Sequence, residues 1–210
     1  LYGDGDAASA AAALEALTAS AFARPDTLRL DEQLRDLCTV AQWRLWQGQT
    51  TGVRSAINRL RAAGDRGALK ATGPVCALLL EGTLATLEKR SDAPVLLARL
   101  DSMFATGPEV SLPELLIPGN IAVARLHELQ GNPALALAAV RRRVYNMDSA
   151  NFLLAASLRM EGSLAGRVGD EEGARRAYLH YLELRSDPEP ALLAQADSVR
   201  VELGRLGYSE

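Results

Sequence analysis

A short turn, made of a glycine followed by a polar residue, recurs along this chain at intervals of about forty residues. It is clearest at Gly169-Asp170, where one helix would end at the glycine and the aspartate would cap the next helix. Ala174 and Tyr178 follow at helical spacing. A small residue lets two helices approach closely, and an aromatic ring one turn later fills the gap between them. The pattern therefore predicts two packed helices joined by each turn.

The same turn recurs upstream, which predicts an array of helix pairs. Its other copies, each followed by small or apolar residues, are Gly5-Asp6 with Ala10, Leu14 and Leu17, Gly48-Gln49 with Val53, Ile57 and Leu60, and Gly131-Asn132 with Ala136 and Val140. The interval from Gly48 to Gly131 is about twice the others. We therefore expect one further pair between them, around a turn without glycine at Ser91-Asp92.

Helical periodicity and turn residues together predict an all-α fold without strands. The predicted helices are 6–22, 29–47, 50–63, 74–89, 93–106, 113–130, 132–145, 149–167, 170–185 and 189–206. The breaks between them include Gly64-Asp65, Gly73-Pro74, Gly107-Pro108 and Asp187-Pro188. Pro118-Gly119 should break or kink the helix at 113–130, whose start could then be as late as Asn120.

The composition restricts the classes of protein to which the chain can belong. Hydrophobic residues make up 48% and charged residues 23% of the sequence, as in folded globular proteins. A net charge of -3 argues against direct nucleic-acid binding by this region. No apolar run is long enough for membrane insertion.

Cys38 and Cys76 stand in apolar helical stretches, where free buried thiols are the preferred interpretation and a disulfide is the alternative.

The sequence contains no recognisable catalytic constellation, so we expect no enzymatic activity, no cofactor and no metal. His127-Glu128 would need a second histidine four residues after the first to form a zinc-protease motif, and Gly131 stands there. Trp43 and Trp46 are interpreted as core residues near a turn, with a ligand cage as the alternative. Arg141-Arg142-Arg143 would spread around a helix, which predicts a solvated face, with acidic partners nearby as an option.

Two stretches carry a resemblance to a known family: SLRMEGSLAGRVGDEEGARRAYLHYLELRSDPEP and, before it, GNIAVARLHELQGNPALALAAVRRRVYN. They resemble the tetratricopeptide-like C-terminal helical regions of bacterial multidomain regulators, which follow a Ser/Thr kinase or the DNA-binding domain of a transcriptional activator. The resemblance covers about residues 110–206. It implies one domain over 1–210, a right-handed α-α superhelix of about four to five helical pairs, closed by a capping helix at 188–206. The interval near forty residues exceeds the standard repeat of about 34 and overlaps HEAT-type repeats.

In that family, side chains of the first helix of each pair line a concave groove. The matching positions here are Arg35, Gln42, Trp46, Arg125, Glu128, Arg159 and Arg167. Four arginines and one acid suit a carboxylate or an acidic peptide held by bidentate hydrogen bonds. The lysine and asparagine residues of the peptide-terminus clamp of some tetratricopeptide proteins are absent from these positions.

The resemblance implies a non-catalytic interaction or regulatory scaffold that binds a protein, a peptide or another domain of the same polypeptide. The alternatives are a small-molecule-sensing domain with its ligand near Arg35, Trp43 and Trp46 and, less favoured, a hydrolase or transferase.

The chain begins at Leu1 and resembles C-terminal regions, so we expect it to be part of a longer protein. A homodimer could form through Leu14 and Leu17. An activator fusion implies a cytoplasmic location, which is slightly favoured, and a transmembrane kinase fusion implies an extracytoplasmic one.

Overall fold

A computed structural model of the chain describes residues 12, 13, 16, 30–63, 72–106, 113–142 and 153–208. Within these ranges every regular element is helical, which confirms the all-α prediction. The elements are α1 (Leu30–Trp46), α2 (Val53–Ala63), α3 (Thr72–Leu87), α4 (Ala93–Thr106), α5 (Pro113–Leu129), α6 (Pro133–Val140), α7 (Leu154–Arg167), α8 (Glu171–Leu184), a 3-10 helix (Pro190–Leu192) and α9 (Leu193–Arg205). In these same ranges, no helix has the length and apolar character needed to cross a membrane.

Several predictions fall on parts of the chain that the structure does not describe. Of the helix predicted at 6–22, only residues 12, 13 and 16 are described, and these are helical. The predictions that lie outside the described residues are the Gly5-Asp6 turn, the Leu14 and Leu17 dimer face, the breaks at Gly64-Asp65 and Gly107-Pro108, and the position of Arg143.

The chain divides into two compact units, and the boundary lies inside α5, between Gly119 and Asn120. In the first unit, α1 packs against α2 and α3, α2 packs against α3, and α3 packs against α4. In the second unit, α6 packs against α7, α7 against α8, and α8 against α9. Each unit is therefore built by packing helices that are near neighbours in the sequence. The assignment of one domain to residues 1–210 stays a prediction.

The recurring turn has the same hydrogen-bonded geometry at each described copy. At the end of α1, Gln49 N–H donates to the Arg44 carbonyl (2.8 Å) and Gly48 N–H donates to the Leu45 carbonyl (2.9 Å). This pair of bonds is a Schellman motif, which requires one residue in the left-handed conformation. Equivalent bonds close α3, α5, α7 and α9. The left-handed residues are Gly48, Lys89, Gly131, Gly169 and Gly207.

Small buried residues recur on both sides of the turn. Seven positions before the left-handed residue, the four pairs have Ala41, Gly82, Ala124 and Gly162, all of them buried. The second helix of three pairs has a buried alanine four positions after the cap, at Ala56, Ala136 and Ala174. In the first pair, Val53 begins the second helix and is buried, as predicted, and the buried alanine comes three positions later at Ala56. The first hydrogen bond of α2 runs from Ala56 N–H to the Gly52 carbonyl (2.9 Å). Because α2 begins only there, the connection between α1 and α2 is longer than the connections in the other pairs.

Two helices in the structure differ from their predicted extents. α5 runs through Pro118 without a break. Pro118 is the sixth residue of this helix, past its first turn, so the helix lacks one intrahelical hydrogen bond there. The next residue, Gly119, lies against the ring of Phe104, and a side chain there would overlap the ring. α6 ends at Val140 rather than near residue 145, because Arg142 N–H bonds the Ala139 carbonyl (3.1 Å) and tightens the last turn.

Cys38 and Cys76 form a disulfide between α1 and α3, so the prediction of free thiols is wrong. Both residues are buried, as expected, and their Cα atoms are 5.6 Å apart. That separation lies within the usual range for a disulfide. The packing of α1 against α3 brings together two residues 38 positions apart in the sequence, which the local pattern did not indicate.

Candidate binding cleft

A cleft of about 590 Å³ opens in the second unit between α5, α7 and α9. Its size is within the range of about 300–1,000 Å³ that is usual for ligand sites. The apolar or small residues of its lining are Ile121, Ala156, Met160, Gly162, Leu164, Gly166, Val199 and Leu206, together with the ring of Tyr178 from α8. Its polar and charged residues are Arg125, Glu128, Arg159, Ser163, Arg167, Ser198, Glu202 and Arg205.

Four of the seven predicted groove residues meet in this cleft. Arg125 and Glu128 come from α5, where a spacing of three places them on the same helical face. Arg159 and Arg167 come from α7. α6 and α8 both pack against α7 and so hold this helix in place. The cleft brings together side chains that are more than thirty positions apart in the sequence.

The other three predicted groove residues belong to the first unit, on α1. Gln42 is only 2% exposed, and its Nε2 donates to Thr83 Oγ1 of α3 (3.1 Å). The Gln42 side chain therefore joins two packed helices and is not available on a surface. Arg35 and Trp46 are half-buried, as is Trp43. We do not include Arg35, Gln42 or Trp46 in the cleft.

Ion pairs hold two of the arginines that line the cleft. Arg167 of α7 donates to Glu128 of α5, and this pair links the two helices across the cleft. On α9, Arg205 donates to Glu202 over 2.5 Å. The cleft has four arginines and two glutamates in its lining, so its formal charge is positive although the whole chain has a net charge of -3.

Tyr178 reaches the cleft from α8 because Gly162 has no side chain. A Cβ atom at position 162 would overlap the Tyr178 ring. Burial raises the pKa of the Tyr178 hydroxyl, and nearby Glu202 raises it further, while a hydrogen bond with Ser163 and the charge of Arg159 oppose the shift. The hydroxyl therefore stays protonated at neutral pH and presents both a donor and an acceptor to the cleft.

The contribution of α9 to the cleft was not predicted, because residues 188–206 were interpreted only as a capping helix. Ser198, Glu202 and Arg205 all line the cleft. Their spacings of four and three residues place them on one face of α9. That spacing was visible in the sequence. What the sequence did not indicate was that this face lies opposite α5 and α7.

A second charged cluster, in the same unit, is structural. Arg141, expected on a solvated helical face with acidic partners as an option, is exposed at the end of α6 and bonds two carboxylates. Its Nε donates to Glu161 Oε1 (3.0 Å) and its Nη2 to Asp170 Oδ2 (2.5 Å). Asp170 also caps α8, as predicted, because its Oδ1 accepts from Gly173 N–H (2.9 Å). Arg141 therefore ties the ends of α6 and α8 to the middle of α7.

A smaller cavity in the first unit, of about 250 Å³, is also lined by arginines. Each of them forms a salt bridge: Arg54 with Glu88 (2.7 Å), Arg61 with Glu81, and Arg90 with Asp92. Each positive charge here is thus next to a carboxylate. The arginines of this cavity are therefore held by acidic side chains of the first unit.

The described residues contain no group of three or more His, Cys, Asp or Glu side chains arranged to hold a metal ion. His127, the histidine next to Glu128, is 4% exposed and lies inside the second unit. The polar groups of the cleft are mainly guanidinium, carboxylate and hydroxyl groups. Such groups can hold a ligand through charge and hydrogen bonds.

No protein-family model, no curated protein and no solved structure gives a significant match to this chain. The functional interpretation therefore depends on the geometry of the cleft.

Proposed function

We propose that this chain is a non-catalytic interaction module that binds a segment of a partner protein in the cleft between α5, α7 and α9. One observation carries the proposal: three helices contribute charged side chains to a single cleft with an apolar floor. Arginine is enriched in protein–protein interfaces and among the few residues that contribute most of the binding free energy. The partner is another protein or another domain of the same polypeptide.

We further propose that the helix pairs stack as a tetratricopeptide-like right-handed superhelix. The support is the recurrence of the Schellman turn at Gly48, Lys89, Gly131 and Gly169, with small buried residues at fixed distances from it. Such a repeat gives every pair a similar interface with the next pair. Small-angle X-ray scattering tests this arrangement, because a stack should give a radius of gyration above the about 17 Å of a compact globule of this length. A value near 17 Å would contradict a superhelix.

Site-specific cross-linking tests the binding proposal. A photo-reactive amino acid is placed at Ser163 or at Ser198, both of which are exposed and line the cleft. The matched control position is Ser91, which is exposed at the turn before α4. We expect the same partner to cross-link from Ser163 and from Ser198 but not from Ser91.

A charge reversal shows whether such cross-links depend on the cleft. Arg125→Glu combined with Arg159→Glu should abolish the cross-links from both cleft positions. Arg99→Glu, on the exposed side of α4, makes the same change of charge outside the cleft and should leave them intact. Partners that cross-link equally from Ser91, or that survive the double reversal, would place the binding surface elsewhere and contradict the proposal.

A further inference from the structure

We infer, on the basis of the proposed function, that the segment bound in the cleft has an apolar side chain flanked on both sides by carboxylates. The distribution of charged and apolar side chains in the cleft favours one class of partner, an acidic protein segment with an apolar centre.

The rim of the cleft favours carboxylates on both sides of the bound segment. α5 contributes Arg125 and α7 contributes Arg159, while Arg205 of α9 is already paired with Glu202 of the same helix. Guanidinium groups bind carboxylates through paired hydrogen bonds, and the attraction is stronger where the site is partly shielded from water. Arg125 and Arg159 therefore offer guanidinium groups to carboxylates from two separate helices.

The two glutamates of the rim restrict the kind of anion that fits. Glu128 bonds Arg167, and Glu202 bonds Arg205, so each acid is positioned next to an arginine. A continuous polyanion with a phosphate at every step would meet these carboxylates and be repelled. A peptide carries its charges on separate side chains, so its carboxylates can face the arginines and avoid the two acids.

The floor of the cleft favours an apolar side chain between the carboxylates. Met160 of α7 and Leu206 after α9 line the cleft and are partly exposed, and the buried Ile121, Leu164 and Val199 lie with them. Burying apolar surface against Met160 and Leu206 favours binding. The methionine side chain is flexible, so it can also adapt to apolar partners of different shape.

Binding of defined peptide pools tests the inference with the full chain. Three fluorescent pools share a variable apolar centre of Leu, Ile, Met, Val or Phe and differ only in their flanking residues, which are Glu, Gln or Lys. A fourth pool has Glu flanks and a centre of Ser or Asn. Fluorescence anisotropy at low ionic strength gives the dissociation constant of each pool, and added salt should weaken the binding of the Glu-flanked pool.

We expect the Glu-flanked apolar pool to bind at least about tenfold more tightly than the Gln-flanked and Ser/Asn-centred pools. Arg125→Glu with Arg159→Glu should remove this preference, while Arg99→Glu should preserve it.

Ser198→Trp fills the cleft from α9 and should block peptide binding. Ser91→Trp adds the same side chain at an exposed turn outside the cleft and should leave peptide binding unchanged. Far-ultraviolet circular dichroism checks that every variant keeps its helical content.

Two results would overturn the inference, and they differ in what they say about the proposed function. If the Gln-flanked, Lys-flanked or Ser/Asn-centred pool binds as tightly and Ser198→Trp blocks it, the cleft binds peptides but the inferred chemistry is wrong. If Ser198→Trp affects the binding of no pool, or if no pool binds, both the inference and the peptide-binding function fail.

Discussion

Lys89 ends α3 in the same left-handed backbone conformation in which Gly131 ends α5. The φ angle is 53° at Lys89 and 77° at Gly131. At both positions the following N–H group donates to a carbonyl five residues earlier, Arg90 to Ala85 and Asn132 to His127, over 2.9 Å. The geometry of the turn is thus kept at a position where the residue type is unfavourable, because a Cβ atom disfavours this conformation.

Lys89→Gly should therefore stabilise the chain, and Gly131→Ala should destabilise it. We expect a gain of about 0.5–1 kcal/mol for Lys89→Gly and a loss of about 1 kcal/mol for Gly131→Ala in the free energy of unfolding. The gain is the smaller because glycine also increases the entropy of the unfolded chain. Urea denaturation followed by circular dichroism measures both changes.

Lys89→Ala is the control for the loss of the lysine side chain. It removes the charge but keeps the Cβ atom, so it should change the stability by less than about 0.5 kcal/mol. Should Lys89→Gly prove as destabilising as a glycine placed inside a helix, Lys89 would not have the left-handed conformation in solution.

The turn at Lys89 illustrates how far the sequence predicts this fold. A turn was expected near Ser91-Asp92 from the spacing of the other copies and from the capping residues there, and the structure has it although no glycine marks it. Helix positions, the cap at Asp170 and the all-α class follow from local patterns of small, capping and apolar residues. These patterns act over one or two helical turns and can be read directly from the sequence.

Contacts between distant residues could not be predicted in the same way. The bond between Cys38 and Cys76, and the position of Glu202 near Tyr178, depend on the angle and distance at which helices pack. For the cleft, the family resemblance indicated the residues of α5 and α7 that meet there but not the face that α9 adds. Whether these residues bind a partner stays a prediction.

Gly162→Ala should destabilise the second unit through a steric conflict with Tyr178. A Cβ atom at position 162 would overlap the Tyr178 ring, and overpacking of this kind costs about 1–3 kcal/mol. Alanine is the better helix former by about 1 kcal/mol, which offsets part of that cost. We expect a net loss of up to about 2 kcal/mol in the free energy of unfolding, measured by urea denaturation.

The same helix offers a matched control in Gly166. A Cβ atom there meets no other atom within 4 Å, so Gly166→Ala should be neutral or stabilise the chain by up to about 1 kcal/mol. In a Tyr178→Ala background, which removes the ring, Gly162→Ala should no longer be destabilising. An equal loss of stability from Gly162→Ala in both backgrounds would refute the contact.

Reduction of the disulfide should lower the stability of the first unit. Cys38 and Cys76 are 38 positions apart, and closing a loop of that length restricts the unfolded chain enough to stabilise the fold by about 3–4 kcal/mol. We expect a dithiol reductant to lower the free energy of unfolding of the natural chain by that amount. Denaturation with and without the reductant measures the difference.

A variant with Cys38→Ala and Cys76→Ala is the control, since its stability should not respond to the reductant. Thiol titration in denaturant provides an independent check. The unfolded, unreduced chain should react with no maleimide, and the reduced chain should react at both cysteines. Reaction at both cysteines without reduction would mean that the thiols are free.

Acid should weaken the contact between Arg141 and Asp170. The hydrogen bond from Arg141, together with the backbone hydrogen bond from Gly173, lowers the pKa of the Asp170 carboxyl below its usual value of 3.8. A carboxylate with a lowered pKa in the folded state stabilises the fold above its unfolded pKa. This stability is lost as the pH falls from about 4 through the lowered pKa, since protonation then breaks the bond from Arg141.

Asp170→Asn isolates this contribution, because asparagine still caps a helix but carries no charge to pair with Arg141. The free energy of unfolding, measured as a function of pH, should fall less steeply below about pH 4 in Asp170→Asn than in the natural chain. Above that range the variant should be the less stable of the two by a constant amount. Glu171→Gln, next to the cap and exposed, should keep the steeper acid dependence. Parallel curves for Asp170→Asn and the natural chain below pH 4 would show that Asp170 does not titrate with a lowered pKa.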